Sequence, residues 1–338
     1  YIVDKFYSKI NDYKEDIYNM SLKYFNVKSE NIYNFYKIWE IVYLHNITSN
    51  TKASNVLNLS QSNNEAIQAV ILYRNKFNNN ISKSDNYCSV VNEVNKNTVK
   101  CFNKNKYFEI KNNNKLDNIS NINKLLKDLE KYKEKADLII SDNNYNFTTK
   151  IYEEQEAFKP LIANFILALK AQKEGGSFVC KIYEMFTDVT IKLICILKHF
   201  YKNVYIHKPY TSNFLKTEMY LVCKDFKPTK AFSNDINKLE KLFNNIDSNS
   251  EIFDIITEFK IPEKIFQKIL NMNILISSLQ FNQINKLITY IENKEYFGED
   301  YHNYREKQIE ASKFWLNSFY TKSESELNSK RKELLGNN

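Results

Sequence analysis

Glycine and proline are scarce in this chain, four of each in 338 residues, against 24 tyrosines and 23 phenylalanines. Residues 1 to about 48 contain neither, so no breaker interrupts a helix there. The five cysteines (Cys88, Cys101, Cys180, Cys195 and Cys223) include no pair at CxxC spacing, and the four histidines are not placed to complete a zinc set. That excludes the common zinc modules and fits free, mostly buried thiols in a reducing compartment. No stretch has the apolar length of a membrane span. The opening residues, "YIVDKFYSKI", lack the basic start and long apolar block of a secretory leader. No internal repeat is present.

What is present is globular in kind: 43% hydrophobic residues, 26% charged, and length for one large domain or one domain with an accessory part. Asparagine, lysine, isoleucine and tyrosine dominate, as A/T-rich codons would dictate, so the asparagine patches (residues 78–80 and 112–114) read as tolerated loops. The net charge of +8 suits a polyanionic partner, although lysine-rich codon usage produces the same excess.

Along the chain, residues 1 to about 48 read mainly as helix. "NVLNLSQS" reads as a short strand and a polar turn, and "EAIQAVILYRNKF" as helix. "YCSVVNEV" and "KYFEI" are strand candidates in an irregular region from 78 to 118. The amphipathic "NINKLLKDLEKYKEK" precedes the strand "ADLIISD". A helix over "EEQEAFKPLIANFILALKAQKEGG" is expected to close on Gly175-Gly176, with Pro160 near its first turns. Then come the strand "SFVCKIY", the helix "TDVTIKLICILKHFYK" with Thr187 or Asp188 near its N-cap, and the strands "NVYIHKP" and "EMYLVCKDF". Only helices follow Pro228. Alternating strand and helix from about 55 to 226 predicts an α/β fold, a mostly parallel sheet with helices on both faces and an antiparallel last pair. The expected division is an N-terminal helical extension (1–30), an α/β domain (31–228) and a C-terminal helical extension (229–338).

Four polar residues interrupt or terminate apolar elements: Lys37 in "NFYKIWEIVYL", Asp142 at the end of "ADLIISD", Lys181 inside "SFVCKIYEMF", and Glu218 opening "EMYLVC". Each has an ordinary reading, as a snorkelling lysine, a strand-end turn, an outward strand residue or an edge residue. Taken together, with 39 residues from Asp142 to Lys181 and 37 from Lys181 to Glu218, they resemble a known pattern. "FYKIWEI", "ADLIISDNN" and the run from Ala168 to Phe226 resemble the FtsJ-like (RrmJ-fold) RNA ribose 2′-O-methyltransferases, closest to the cap-type members of large DNA viruses.

The resemblance implies a Rossmann-like methyltransferase fold and S-adenosylmethionine as cofactor. Its substrate would be RNA, in particular a capped mRNA 5′ end. It implies an intracellular, cytoplasmic setting beside other capping or transcription proteins, with no membrane. The catalytic tetrad it implies is Lys37, Asp142, Lys181 and Glu218. Lys181 would be the base that takes the 2′-hydroxyl proton, Lys37 a nearby cation, and the two acids would orient the lysines and the ribose. A lysine base needs a lowered pKa, which a neighbouring cation favours and two carboxylates oppose, so the net shift stays open. Asn58, Ser60, Ser62, Asn63, Asn64 and Asp142 fall where the family holds the cofactor. Lys208 and Ser212, in the loop before Glu218, are candidates for RNA phosphates, and equally for an ordinary connection. Tyr36, Tyr145 and Tyr210 could stack on a base, and Lys159, Lys170, Lys173, Lys224 and Lys227 could form a basic surface. Trp39 and Trp315 read as core.

The chain departs from the family at the cofactor loop. Ser62-Asn63-Asn64-Glu65 stands in place of glycines, Asn143-Asn144 replaces a Gly-Gly turn, and Glu65 would repel the cofactor's carboxylate. Asparagine tolerates left-handed geometry better than most residues. Two readings follow: a divergent working enzyme, or a methyltransferase-fold RNA-binding or regulatory subunit that has lost its cofactor.

Overall fold

The computed structural model describes residues 10–335 apart from 12, 14–18, 28, 30–31, 49–50, 61–63, 93, 95–105, 131–134, 146, 148–152, 247–251, 253, 255–256, 258 and 322. Most of the expected helix over 1–30 lies outside the described residues; Ser21–Phe25 form a π-helical turn. The elements that follow are α1 (Ile32–His45), β1 (Asn55–Asn58), α2 (Glu65–Phe77), a short α3 (Asn79–Ser82), β2 (Asn86–Val91), β3 (Tyr107–Lys111), α4 (Ile119–Glu130), β4 (Ala136–Ser141), α5 (Glu153–Ala171), β5 (Gln172–Ile182), α6 (Asp188–Phe200), β6 (Tyr201–His207), β7 (Met219–Phe226), α7 (Phe232–Asn245), α8 (Glu263–Glu292), α9 (Gly298–Phe319) and α10 (Glu324–Leu335).

The seven strands form one sheet in the order β3-β2-β1-β4-β5-β7-β6. All neighbours are parallel except β7, which runs antiparallel to both β5 and β6. This is the expected Rossmann-like arrangement, with helical additions. Strand order reverses between β1 and β4, and in such sheets ligands sit beyond the carboxyl ends at that point.

Alternation along the strands sorts the core into two layers. Leu57, Ile139, Phe178 and Cys180 face a layer with Phe158, Ile162 and Phe165 of α5. Val56, Leu138, Ile140, Val179, Tyr220 and Val222 face α1 and α2, through Phe35, Tyr36, Trp39 and Tyr73. The C-terminal helices close the second layer: Trp315 and Phe319 of α9 and Leu327 of α10 are buried against α1. Trp39 Nε1 donates to the Phe319 carbonyl (2.8 Å) and its ring packs edge-on to Phe25 at 4.7 Å. Both tryptophans are therefore core, as the sequence suggests. Cys88, Cys180, Cys195 and Cys223 are buried free thiols; Cys101 lies outside the described residues.

Local capping places the elements. Thr187 is the N-cap of α6, its hydroxyl accepting from Thr190 N, with Asp188 in the first turn and Lys198 and His199 in the last. The expected end of α5 is corrected by the structure. The helix stops at Ala171, and Gly175-Gly176 lie within β5. Between two ladder pairs, Ala136↔Gln172 and Leu138↔Ser177, β5 takes five steps where β4 takes two. Gly175 absorbs the excess at φ +77°, and a Cβ on Gly176 would meet Gln172 Nε2 at 2.3 Å and the Asp137 carbonyl at 2.8 Å. Pro160 is tolerated inside α5.

At the amino edge of the sheet, Arg74 and Asp85 are both fully buried. The guanidinium donates to both carboxylate oxygens, Nε at 2.8 Å and Nη2 at 2.7 Å, while the carboxylate also accepts from Ser54 N and Tyr87 Oη. Removing one partner strands the other charge, so Arg74→Ala is expected to cost about 3–5 kcal/mol in denaturant unfolding. A loss below about 1 kcal/mol would show that the pair does not tie α2 to β1 and β2.

Candidate active site

Strand register brings three of the expected residues to one place. Asp142 follows β4 directly, and β4 pairs with β5 at Ser141↔Cys180, so Asp142 comes beside Lys181. On the other side of β5, Lys181 pairs with Tyr220 in antiparallel β7, and Glu218 lies two residues before Tyr220. With side chains alternating, residues 138, 140 and 142, residues 179 and 181, and residues 218, 220 and 222 all point to the α1–α2 side of the sheet. Helix α1 covers that side and delivers Lys37.

The four side chains meet in a nearly water-free site, with relative exposures of 6% for Lys37, 0% for Asp142, 1% for Lys181 and 7% for Glu218. Lys181 Nζ lies 2.5 Å from Asp142 Oδ1 and 4.0 Å from Glu218 Oε2. Lys37 Nζ lies 2.6 Å from Glu218 Oε1 and 3.5 Å from Asn34 Oδ1. Tyr220 Oη donates to Asp142 Oδ1 (2.8 Å), and Lys181 Nζ donates to Asn144 Oδ1 (2.8 Å).

The electrostatics follow from the pairing. Burial disfavours the ammonium of Lys181, but Asp142 and then Glu218 outweigh it and hold the pKa above the ordinary lysine value. Burial likewise disfavours the Glu218 carboxylate, yet Lys37 and Lys181 pull its pKa down to about 2. The shift left open by the sequence is thus upward for Lys181 in the ligand-free chain. Lys37 is bonded to Glu218, so its positive charge is largely answered there.

A family model for FtsJ-like methyltransferases matches residues 35–226, more than half of the chain. The chain belongs to the FtsJ-like methyltransferase family. Among curated relatives, the chain is 29% identical over 174 residues to a cap-specific mRNA (nucleoside-2′-O-)-methyltransferase 1 of Dictyostelium discoideum, covering 51% of this chain and 23% of the relative. It is 28% identical over 163 residues to the Caenorhabditis elegans protein of the same name, covering 46% and 17%. A Caenorhabditis briggsae relative named as an inactive cap-specific methyltransferase 1B matches at 24% over 161 residues, 46% of this chain and 18% of that one. The match therefore spans only about a fifth of these relatives' own length. A crystal structure described as a ribosomal RNA methyltransferase of Plasmodium falciparum aligns with a TM-score of 0.43 and 18% identity, over 59% of this chain and 98% of that one.

The residues expected to face a cofactor lie at the carboxyl ends of β1 and β4, at the reversal of strand order. Asn58 and Ser60 are fully buried there. Ser60 Oγ accepts from Asp142 N (2.7 Å), Asn58 Oδ1 accepts from Ser60 N (3.2 Å), and Asn58 Nδ2 donates to Ser89 Oγ (3.3 Å). These side chains hold the two strand ends together. Asn64 stands at the start of α2 and accepts from Tyr107 Oη (3.4 Å). Ser62 and Asn63 lie outside the described residues. Glu65 is turned to the Ser29 hydroxyl, which donates to it. One of its carboxylate oxygens is thereby answered, and an edge of amide, hydroxyl and carboxylate groups suits in kind a zwitterionic amino acid joined to a ribose. Among the described residues no group of His, Cys, Asp and Glu could hold a metal, and no helix is long and apolar enough to cross a membrane.

Other expected contacts turn inward. Lys208 Nζ donates to the carbonyls of Lys216 (2.7 Å), Glu218 (2.8 Å) and Asn213 (3.3 Å), and Ser212, 1% exposed, donates to the Pro209 carbonyl (2.6 Å). Both brace the β6–β7 loop, and their donors are already used within it; burial also brings Lys208 down to about 8. Tyr36 is core. Lys159 donates to the Ile246 carbonyl, Lys224 to that of His45, and Lys170 and Lys173 pair with Glu240 and Asp137, so these four form no free basic strip. Sequence reasoning missed Tyr220, although its place two residues after Glu218 in a strand puts both on one face. Asn144, noted in the sequence only as a departure from a Gly-Gly turn, is an acceptor for Lys181.

Because the Glu218 pKa falls from 4.5 to about 2 on folding, its ionised form stabilises the native state above pH ~4.5, and that contribution is lost as pH falls through ~2. The size is on the order of 3 kcal/mol. The stability gap between the wild type and Glu218→Gln is therefore expected to shrink as unfolding is measured from pH 4.5 down to 2. A gap constant across that range would mean that Glu218 is not held ionised by the lysines.

Proposed function

We propose that this chain carries an RNA ribose 2′-O-methyltransferase domain that acts on capped mRNA 5′ ends with S-adenosylmethionine as methyl donor. The observation that carries the reading is the meeting of Lys37, Asp142, Lys181 and Glu218, from four separate elements, at the carboxyl edge of the sheet beside its reversal point. The cap-specific relatives supply the substrate class. Asn58, Ser60, Asn64 and Asp142 would hold the cofactor. When bound, it would supply a methyl group on a sulfonium, and a positive charge near Lys181 would favour the neutral amine.

The chain's own residues do the rest. Asp142 and Asn144 aim the Lys181 Nζ, and Tyr220 holds Asp142. Glu218, fixed by Lys37, presents its second oxygen toward Lys181 and is free to orient a ribose hydroxyl between them. In its neutral form Lys181 Nζ would take the hydroxyl proton during attack, so the ammonium that the carboxylates favour must first release its own proton to solvent, and alignment of the oxygen supplies much of the acceleration. The near-total burial of the four groups keeps water from competing.

A second reading, a cofactor-free RNA-binding subunit, is favoured by the loop sequence Ser62-Asn63-Asn64-Glu65 and by a relative named inactive. Calorimetry separates the two: saturable micromolar binding of S-adenosylmethionine supports the enzyme, and no binding at millimolar cofactor supports the subunit. Lys181→Arg tests the role of the amine. Arginine keeps the charge and the ion pair but does not give up its proton. A base role predicts a folded variant with transfer to capped RNA reduced at least about a hundredfold. Activity within a few-fold of the wild type would leave Lys181 as an electrostatic anchor only.

A further inference from the structure

Glu40 is a carboxylate with no exposure to solvent, on α1 one turn beyond Lys37. Its two oxygens receive three donors from two distant parts of the chain. Oε1 accepts from the Tyr210 backbone N (3.0 Å) and from His207 Nε2 (3.2 Å); Oε2 accepts from Trp315 Nε1 (3.2 Å). His207 Nδ1 in turn faces His45 Nε2 at 3.4 Å, in the last turn of α1. Burial, then His207 and Lys224, push the His45 pKa down to about 3, so His45 is neutral at ordinary pH. His207 thus lies between Glu40 on its Nε2 side and His45 on its Nδ1 side.

We propose that Glu40 is a positioning residue of the transfer site, fastening the loop that carries Glu218, and helix α9, to the helix that carries Lys37. The proposal rests on the function given above. The loop from Lys208 to Glu218 is attached to α1 at two points. Lys37 holds its far end through Glu218, and Glu40 holds its near end through Tyr210 and His207. Lys208 braces the loop internally, donating to the Glu218 carbonyl. With both attachments the Glu218 carboxylate keeps one place relative to Lys181; with only one, the loop pivots about the Lys37–Glu218 pair. A buried carboxylate is a costly way to hold helices together, and an apolar side chain would serve packing alone. Its use is orientation, and through Trp315 the C-terminal helices take part in it.

Glutamine at 40 tests this with little change of shape. If its single accepting oxygen keeps Tyr210 and His207, its amide donors face the Trp315 N–H, donor against donor. Trp315→Phe removes that conflict. With capped RNA as acceptor, Glu40→Gln in the full chain is expected to lower kcat about tenfold and leave KM for the methyl donor within about twofold. The pair Glu40→Gln with Trp315→Phe should return to within about threefold of Trp315→Phe alone. Amide exchange across residues 208–218 should also quicken in Glu40→Gln and recover in the pair, a readout that needs no activity. An unchanged kcat in Glu40→Gln, or exchange in the loop equal to the wild type, overturns the proposal. A wild-type chain that transfers nothing, but whose loop loosens in Glu40→Gln, keeps the clamp and refutes the assigned reaction.

Discussion

Two ammonium groups and two carboxylates share one buried site, and none of the four could stay ionised there alone. A single charge moved from water into a protein interior costs several kcal/mol even after relaxation, and a pair recovers that only with good geometry and further hydrogen bonds. Here the four sum to zero, and Asn34, Asn144 and Tyr220 supply the remaining hydrogen bonds. The site is therefore cooperative. Lys37 and Glu218 are 181 positions apart and meet only when α1 has docked on the finished sheet. The neutral sum also restricts what the sheet can be, because β7 must insert between β5 and β6 and run backwards for Glu218 to reach the edge where Asp142 ends β4.

Much of this geometry was legible in the sequence, because sheet periodicity leaves a mark. Asp142 follows Leu138 and Ile140 at intervals of two, Lys181 follows Val179, and Glu218 precedes Tyr220 and Val222; in each case the charged residue continues the face that is apolar along the strand. Lys37 had no such mark. A lysine within an apolar helix reads the same whether it snorkels or pairs, and only the resemblance of "FYKIWEI" pointed to it. Gly175-Gly176 misled for a physical reason. Glycine after an apolar helix reads as a C-cap, whereas here it permits an expanded β5 to pass close to the Asp137 carbonyl. Lys208 was open in the sequence between a phosphate contact and an ordinary connection, and nothing local shows that three carbonyls of its own loop will surround it. Glu40 was invisible in the same way, since its partners lie 167 to 275 residues away.

The helices beyond the α/β region belong to the same logic. Trp315 and Phe319 complete the layer over α1 that the sheet face requires, and without them the large aromatic side chains of α1 and α2 would meet water. The apolar demand of that layer and the polar demand of the site converge on one helix. α1 carries Lys37 and Glu40 among twelve buried residues. A helix buried on so much of its surface is rigid, which is what a residue that fixes a carboxylate for chemistry needs.

Stability and basicity pull in opposite directions at Lys181. The contacts that let its ammonium exist in the interior, Asp142 at 2.5 Å and Glu218 at 4.0 Å, are the same contacts that raise its pKa. A site built only to make a lysine basic would have left it among apolar groups or beside a second cation, as burial alone lowers a lysine pKa. This one holds the proton firmly in the resting chain. A lysine base in this site would therefore have to lose its proton against two carboxylates, and the same pairs that oppose that loss are what make the charges tolerable in the interior.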